Sequence, residues 1–166
     1  MLKSYYDWRE TFTYNADVSM IVGERDVGKT FGLREQFVRD YMAHSERFCA
    51  VCRYEKDISR ISEGYLDGIG MDTQDAKVRE WYEVNRPVFR LEKGALKVGS
   101  RKESDKIKEW DVIGYFAHMS VKQASKERTF AKVRRFVVDE AIMEPEDLRF
   151  RRYLNDEWGR LQSIVQ

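Results

Sequence analysis

The sequence predicts an α/β domain of three layers: a mostly parallel central sheet, helices on both faces, and a β-hairpin elaboration. Three observations predict it. Val18–Val22 is an apolar run followed by a glycine-containing loop, and Lys29–His44 then sets Leu33, Phe37, Val38 and Tyr41 at helical spacing. Phe48–Arg53 is a second short apolar run, so strand, loop, helix and strand follow in order, which is the β-α-β unit of a parallel sheet. Arg135-Phe136-Val137-Val138 is a third run and ends in Asp139-Glu140, as a buried parallel strand does. Val18–Val22 and Phe136–Val138 are expected to be central, and adjacent or nearly so.

The remaining elements follow along the chain. Gly32 falls in the first turn of the Lys29–His44 helix, where it weakens the helix slightly. Asp57–Tyr65 reads as a short helix with Ile58, Ile61 and Tyr65 on one side. Val88–Glu92 and Leu96–Val98 flank Gly94 and form a hairpin within the region from Val88 to Met119. Val112–Met119 is a further strand. Glu146–Ile164 reads as a helix with Tyr153, Leu154, Trp158, Leu161 and Ile164 as its apolar face. The two prolines, Pro87 and Pro145, mark element boundaries.

The bulk numbers fit this plan. A chain of 166 residues suits one domain spanning 1–166 and can bury a core without staples. Hydrophobic residues at 42% and aromatics at 13% exclude a disordered chain. Net charge is +1, so any polyanion signal must lie in the distribution of charge. Lys122–Arg135 holds six basic residues against Glu127, and Asp139–Glu157 holds seven acids against three arginines. These surfaces are expected to meet a polyanion or a neighbouring subunit, or else to be solvated. No apolar run approaches a membrane span, and the N-terminus lacks the apolar core of a signal peptide, so a cytosolic location and no membrane are expected. Cys49 and Cys52 are three apart in a strand and face opposite ways, so they read as core thiols, not metal ligands.

The chemistry lies in Gly23-Glu24-Arg25-Asp26-Val27-Gly28-Lys29-Thr30, which meets G-x-x-x-x-G-K-[ST] in full. Gly23 and Gly28 let the backbone turn tightly, so that successive N–H groups face phosphates. The loop opens a helix, whose N-terminus favours anions. Lys29 is expected to reach the β- and γ-phosphates and Thr30 to ligate magnesium. Asp139, at the tip of an apolar strand, is the second metal candidate, and Glu140 beside it is the candidate general base for water. That neighbouring base and the lack of an Asn-Lys-x-Asp segment favour ATP over GTP. The expected class is a P-loop NTPase of the kind with an added catalytic glutamate (ASCE), with ATP and Mg2+ as cofactors. Arg25, four residues before Lys29, is either a solvated loop residue or a contact to the γ-phosphate.

With these residues in place the chain resembles the genome-packaging (encapsidation) ATPases of small tailed podophages of the Bacillus-phage type. The resemblance rests on Tyr6, seventeen residues ahead of Gly23, with Tyr14 between them, and on Arg25 within the loop. It rests also on Arg53-Tyr54 after the second strand, on Ser120-x-x-Gln123-x-x-Lys126, and on the spacing from Lys126 to Asp139. It implies a homo-oligomeric ring at a procapsid portal or packaging RNA that drives double-stranded DNA inward in the cytoplasm of an infected host. It implies that Lys126 approaches the neighbouring subunit's nucleotide, exposed and away from its own Lys29, and that Tyr6 and Tyr14 lie near adenine. The family continues with an arginine finger and a nucleic-acid-binding domain, so this chain is expected to stop before them, as a fragment or as one piece of a split protein, and to be monomeric or weakly associating and slow in basal turnover. The rival readings are a small P-loop kinase, with Lys122–Arg135 as a lid, and a nucleotide-binding oligomerisation module without turnover.

Overall fold

The computed structural model describes residues 6–14, 16, 18–21, 27–62, 64–102, 106–107, 109–120, 130, 132–138 and 154–165. Its helices are α1 (Trp8–Thr13), α2 (Lys29–His44), α3 (Glu55–Ser62), α4 (Ile69–Asp72), α5 (Ala76–Asn85) and α6 (Glu157–Val165). Its strands are β1 (Arg47–Cys52), β2 (Val88–Glu92), β3 (Ala95–Gly99), β4 (Trp110–His118) and β5 (Val133–Val137). They form one sheet in the order β2-β3-β4-β1-β5. β1 pairs in parallel with β4 and with β5, whereas β2–β3 and β3–β4 are antiparallel. The sheet is therefore mixed, its parallel part confined to β4, β1 and β5.

The sheet is covered on both faces, which makes the three layers. Along β1, Phe48 and Ala50 join one core with Leu33, Phe37 and Val38 of α2 and with Ile69 and Val78, while Cys49 and Val51 join a second with Ala117 and with Ile164 of α6. Alternation by two thus sends successive β1 side chains to opposite cores. Phe48 is the hub of the first: it stacks on Phe37 at 4.3 Å and meets Phe116 edge-on at 6.3 Å. Gly114 lies opposite Phe48 in the β1–β4 register, and a Cβ there would sit 2.3 Å from the Phe48 ring. Both cysteines are buried and unbridged, as core thiols should be.

Local sequence explains the joints. Lys93 (φ 49°) and Gly94 (φ 76°) are both left-handed, which makes the two-residue turn whose twist suits a hairpin. Asp75 caps α5 by accepting from the N–H groups of Lys77 and Val78. α2 ends at His44 and β1 begins at Arg47, so the helix runs back antiparallel to β1 and hence to β5.

Several expectations are corrected. Of the expected strand Val18–Val22, residues 18–21 are not in a strand and Val22 lies outside the described residues: Val18 is 67% and Met20 75% exposed, and among the described residues the segment has no ladder partner. Ser19 and Val133–Arg135 line one open cleft of about 700 Å³, so space separates that segment from β5. β5, expected to be central, is an edge strand among the described residues, and β1 takes the inner place. The last helix begins at Glu157, with Leu154 ahead of it and residues 146–153 outside the described residues. Trp158 points largely to solvent at 56% exposure, while Leu161 and Ile164 pack inward. α1, α4 and α5 had no counterpart in the sequence reading.

Candidate phosphate-binding site

The described part of the glycine loop joins α2 through one left-handed residue. Gly28 is the N-cap of α2 with φ 74° and ψ 22°, a conformation that disfavours a Cβ. Its carbonyl accepts the first helical bond, from the Gly32 N–H at 2.8 Å. Lys29 and Thr30 are half-buried in the first turn, and that turn carries no acid of its own beside the positive end of the helix dipole. Val27, just before it, is exposed at 40%.

An aromatic strap from the N-terminus crosses this junction. The Tyr6 N–H donates to the Val27 carbonyl at 3.1 Å, and the Trp8 indole N–H donates to the Lys29 carbonyl at 2.8 Å. The two rings meet edge-on at 5.3 Å, and Trp8 stacks on Phe12 at 5.6 Å. The Tyr6 hydroxyl bonds with that of Thr11 at 2.8 Å. Asp7 caps α1, and hydrogen bonds from the Arg9 side chain and then its backbone N–H hold the Asp7 carboxyl at a pKa of about 2. Of the two tyrosines singled out by sequence, Tyr6 therefore lies against the loop. Tyr14 closes α1, exposed at 69%, with its hydroxyl donating to Glu10 at 3.4 Å.

Two ion pairs tie the surroundings to the sheet. Arg135 of β5 donates to Asp40 of α2 at 2.6 Å, Gln36 donates to the other Asp40 oxygen at 2.8 Å, and the Arg135 guanidinium lies 3.6 Å over the Phe12 ring. Helices α1 and α2 and strand β5 thus meet at one arginine. Arg53, just past the end of β1, donates to both oxygens of Glu157 at 2.6 and 3.2 Å. Burial pushes the Glu157 pKa up, but the Arg53 guanidinium and the Leu154 N–H outweigh it and leave the carboxyl below its ordinary value of 4.5. Arg53 of the Arg-Tyr pair is thus a link between β1 and α6. Ser120 shares a 2.8 Å hydrogen bond with the His118 ring.

Gly23, Glu24, Arg25, Asp26, Lys126, Asp139 and Glu140 lie outside the described residues. Val138, the residue before Asp139, packs half-buried into the second core. Sequence reasoning missed Trp8 and gave Gly32 no role. The signal was a glycine in the first helical turn without a conformational need: its φ is not positive, but a Cβ would sit 2.3 Å from the Tyr6 carbonyl oxygen and 3.1 Å from Trp8. Among the described residues there is no cluster of His, Cys, Asp and Glu fit to hold a metal, and no helix long and apolar enough to cross a membrane.

Comparison with known proteins places this architecture. The chain is similar to the crystallised N-terminal domain of the DNA packaging ATPase from bacteriophage phi29, with a TM-score of 0.71 at 17% identity, over 97% of this chain and 70% of that one. It is similar also to chains of the bacteriophage phi29 genome packaging motor assembly (TM-score 0.67, 17% identity) and of the Phi-28 gp11 DNA packaging motor (TM-score 0.66, 17% identity). In each of these it aligns over 98% of its own length but spans 42% and 46% of theirs. No curated protein sequence matches. The model of the podovirus DNA encapsidation proteins (Gp16) matches residues 1–165, so the chain belongs to that family.

Proposed function

We propose that this chain is an ATP-binding and ATP-hydrolysing motor domain of P-loop type that serves phage DNA packaging. The observation that carries the proposal is the junction at Gly28: a complete G-x-x-x-x-G-K-T run whose last glycine is left-handed and hands directly to a 16-residue helix with no acid in its first turn. Family membership supplies the packaging context.

In this reading the loop N–H groups from Gly23 to Lys29 cradle the phosphates, and Lys29 neutralises the β/γ oxygens. Thr30 and Asp139 would hold magnesium, which would supply positive charge against that of the phosphate oxygens. Glu140 takes a proton from water as the water oxygen bonds to the γ-phosphorus and the bond to the ADP oxygen breaks. Arg25 and, from a neighbouring subunit, Lys126 add positive charge where negative charge develops. Lys126, a point charge without a planar fork, gives less than an arginine would. Double-stranded DNA, a ring of subunits and a portal or RNA partner belong to the proposal and accord with the motor assemblies that this fold resembles.

The test is ATP hydrolysis by the purified chain with and without duplex DNA, with Lys29→Ala beside it. The expected result is slow turnover that duplex DNA raises, and a Lys29→Ala variant that binds MgATP about 10- to 100-fold more weakly, the worth of a charge-assisted contact. Phosphate transfer to an added acceptor would replace this reading with a kinase, and tight binding without turnover would replace it with a nucleotide-binding module. Unchanged MgATP affinity in Lys29→Ala would remove the phosphate site.

A further inference from the structure

We propose that the N-terminal strap, Tyr6 to Phe12, is a positioning element of the phosphate loop, and that Gly32 is glycine so that the strap can lie against the first turn of α2. The inference rests on the phosphate-site reading of Lys29 and Thr30.

Three independent contacts define the strap, and they bracket Gly28. The Tyr6 N–H holds the carbonyl of Val27, one residue before it. The Trp8 indole N–H holds the carbonyl of Lys29, one residue after it. The Tyr6 carbonyl lies where a Gly32 Cβ would be, at 2.3 Å. A left-handed glycine is a soft joint, because it populates other conformations at little cost. Bonds to the carbonyls on either side fix the direction in which the chain leaves the loop. With the exit fixed, the N–H groups of the first turn and the Lys29 side chain are aimed before a ligand arrives, and less ordering remains for binding to offset.

The strap is itself anchored away from the loop. Asp7 caps α1, Trp8 stacks on Phe12, and Phe12 lies under the Arg135 guanidinium, which Asp40 holds. The loop exit is thereby tied to β5 and to the far end of α2. Among the described residues the strap's hydrogen bonds to this junction go to the backbone carbonyls of Val27 and Lys29, so Tyr6 and Trp8 act here as positioning residues.

Gly32 provides a test whose sign is opposite to helix propensity. In an ordinary helix interior Gly→Ala is stabilising, whereas here the new Cβ must push the Tyr6 carbonyl away. Trp8→Phe keeps an aromatic ring beside Phe12 and removes the indole N–H together with part of the ring area. MgADP affinity of the full chain is measured by calorimetry for the parent, Trp8→Phe and Gly32→Ala, with circular dichroism and melting curves to establish that each variant is folded. Trp8→Phe is expected to lose about three- to tenfold in affinity, the net worth of one hydrogen bond, and Gly32→Ala about tenfold or more. A fall in MgADP affinity of Trp8→Phe beside an unchanged melting point is expected, a split that a purely structural role of Trp8 would not produce. A parent that binds MgADP beside folded variants of equal affinity would overturn the inference alone. A parent that does not bind MgADP would overturn the site reading and this inference with it. If Gly32→Ala does not fold, the affinity and melting point of Trp8→Phe decide.

Discussion

Replacing Arg135 by methionine keeps an unbranched stem and removes the charge that faces Asp40 and lies over the Phe12 ring. The N–O distance is 2.6 Å, and the two side chains are only 20% and 14% exposed. Exposed pairs contribute about 0.2–1 kcal/mol, while breaking a fully buried pair costs about 3–5 kcal/mol because a charge is left unpaired. This pair lies between those limits, so Arg135→Met should cost about 2 kcal/mol and Asp40→Asn somewhat less, since Gln36 can still bond the amide. At about 2–4 °C per kcal/mol for a domain of this size, the melting point should fall by about 4–8 °C. A double-mutant cycle from urea unfolding should give a coupling of about 1.5 kcal/mol between them. There is also a functional consequence. Thr30 lies ten residues back along α2 from Asp40, a rise of about 15 Å, and Asp139 lies four residues beyond Arg135, about 13 Å if the chain stays extended. In the proposed reading, in which Thr30 and Asp139 hold magnesium together, the Arg135–Asp40 pair sets the level of α2 against β5, because the two run antiparallel. Arg135→Met should therefore weaken MgADP binding more than ADP binding in chelator. A coupling below about 0.5 kcal/mol, with equal losses in the two binding assays, would refute the reasoning.

Gly114→Ala should destabilise the domain by about 1–2 kcal/mol: forcing an extra methyl against the Phe48 ring costs about 1–3 kcal/mol, and alanine returns up to about 1 kcal/mol of chain entropy. A variant that melts at or above the parent temperature would show that Phe48 has room to move. For Glu157, a folded pKa held below 4.5 means that the stabilisation by Arg53 is fully present above that value and is lost as pH falls through the lowered pKa. The stability gap between parent and Glu157→Gln should thus be complete at neutral pH and shrink below pH 4.5; a gap equal at both ends would assign it to packing. Glu140→Gln should keep MgATP affinity and lose about a hundredfold or more in turnover, because an amide cannot take the proton from water; hydrolysis at the parent rate would show that Glu140 is not the base.

How much of this was legible in the sequence depends on what each signal measures. The α2 boundaries were readable because a periodic apolar face and a flanking glycine report the same local event, and the hairpin was readable because Gly94 sits between two runs of strand length. β1, β4 and β5 came within two residues at either end. Helix α5 was missed although Asp75 is an ordinary N-cap, because only Val78 is buried within it and its contact face is the aromatic pair Trp81 and Tyr82. Val18–Val22 and β5 were misplaced for another reason: an apolar run states that a segment is sticky, but not which edge it meets, and sheet order is fixed by contacts far apart in the chain. The site shows the same division. The joint of Gly28 with Lys29 and Thr30 in the first turn of α2 was legible because a glycine just before a periodic apolar run marks a helix start. The strap that holds them was not, since Tyr6 and Trp8 precede the loop by some twenty residues and act through backbone carbonyls, which every residue possesses. Gly32 was the one local trace of that contact. Read by propensity it is a small defect in a helix, but read against its surroundings it is the space through which the N-terminal segment passes. A glycine that weakens its own element without a conformational need is thus a statement about a neighbour, and here the neighbour braces the exit of the phosphate loop.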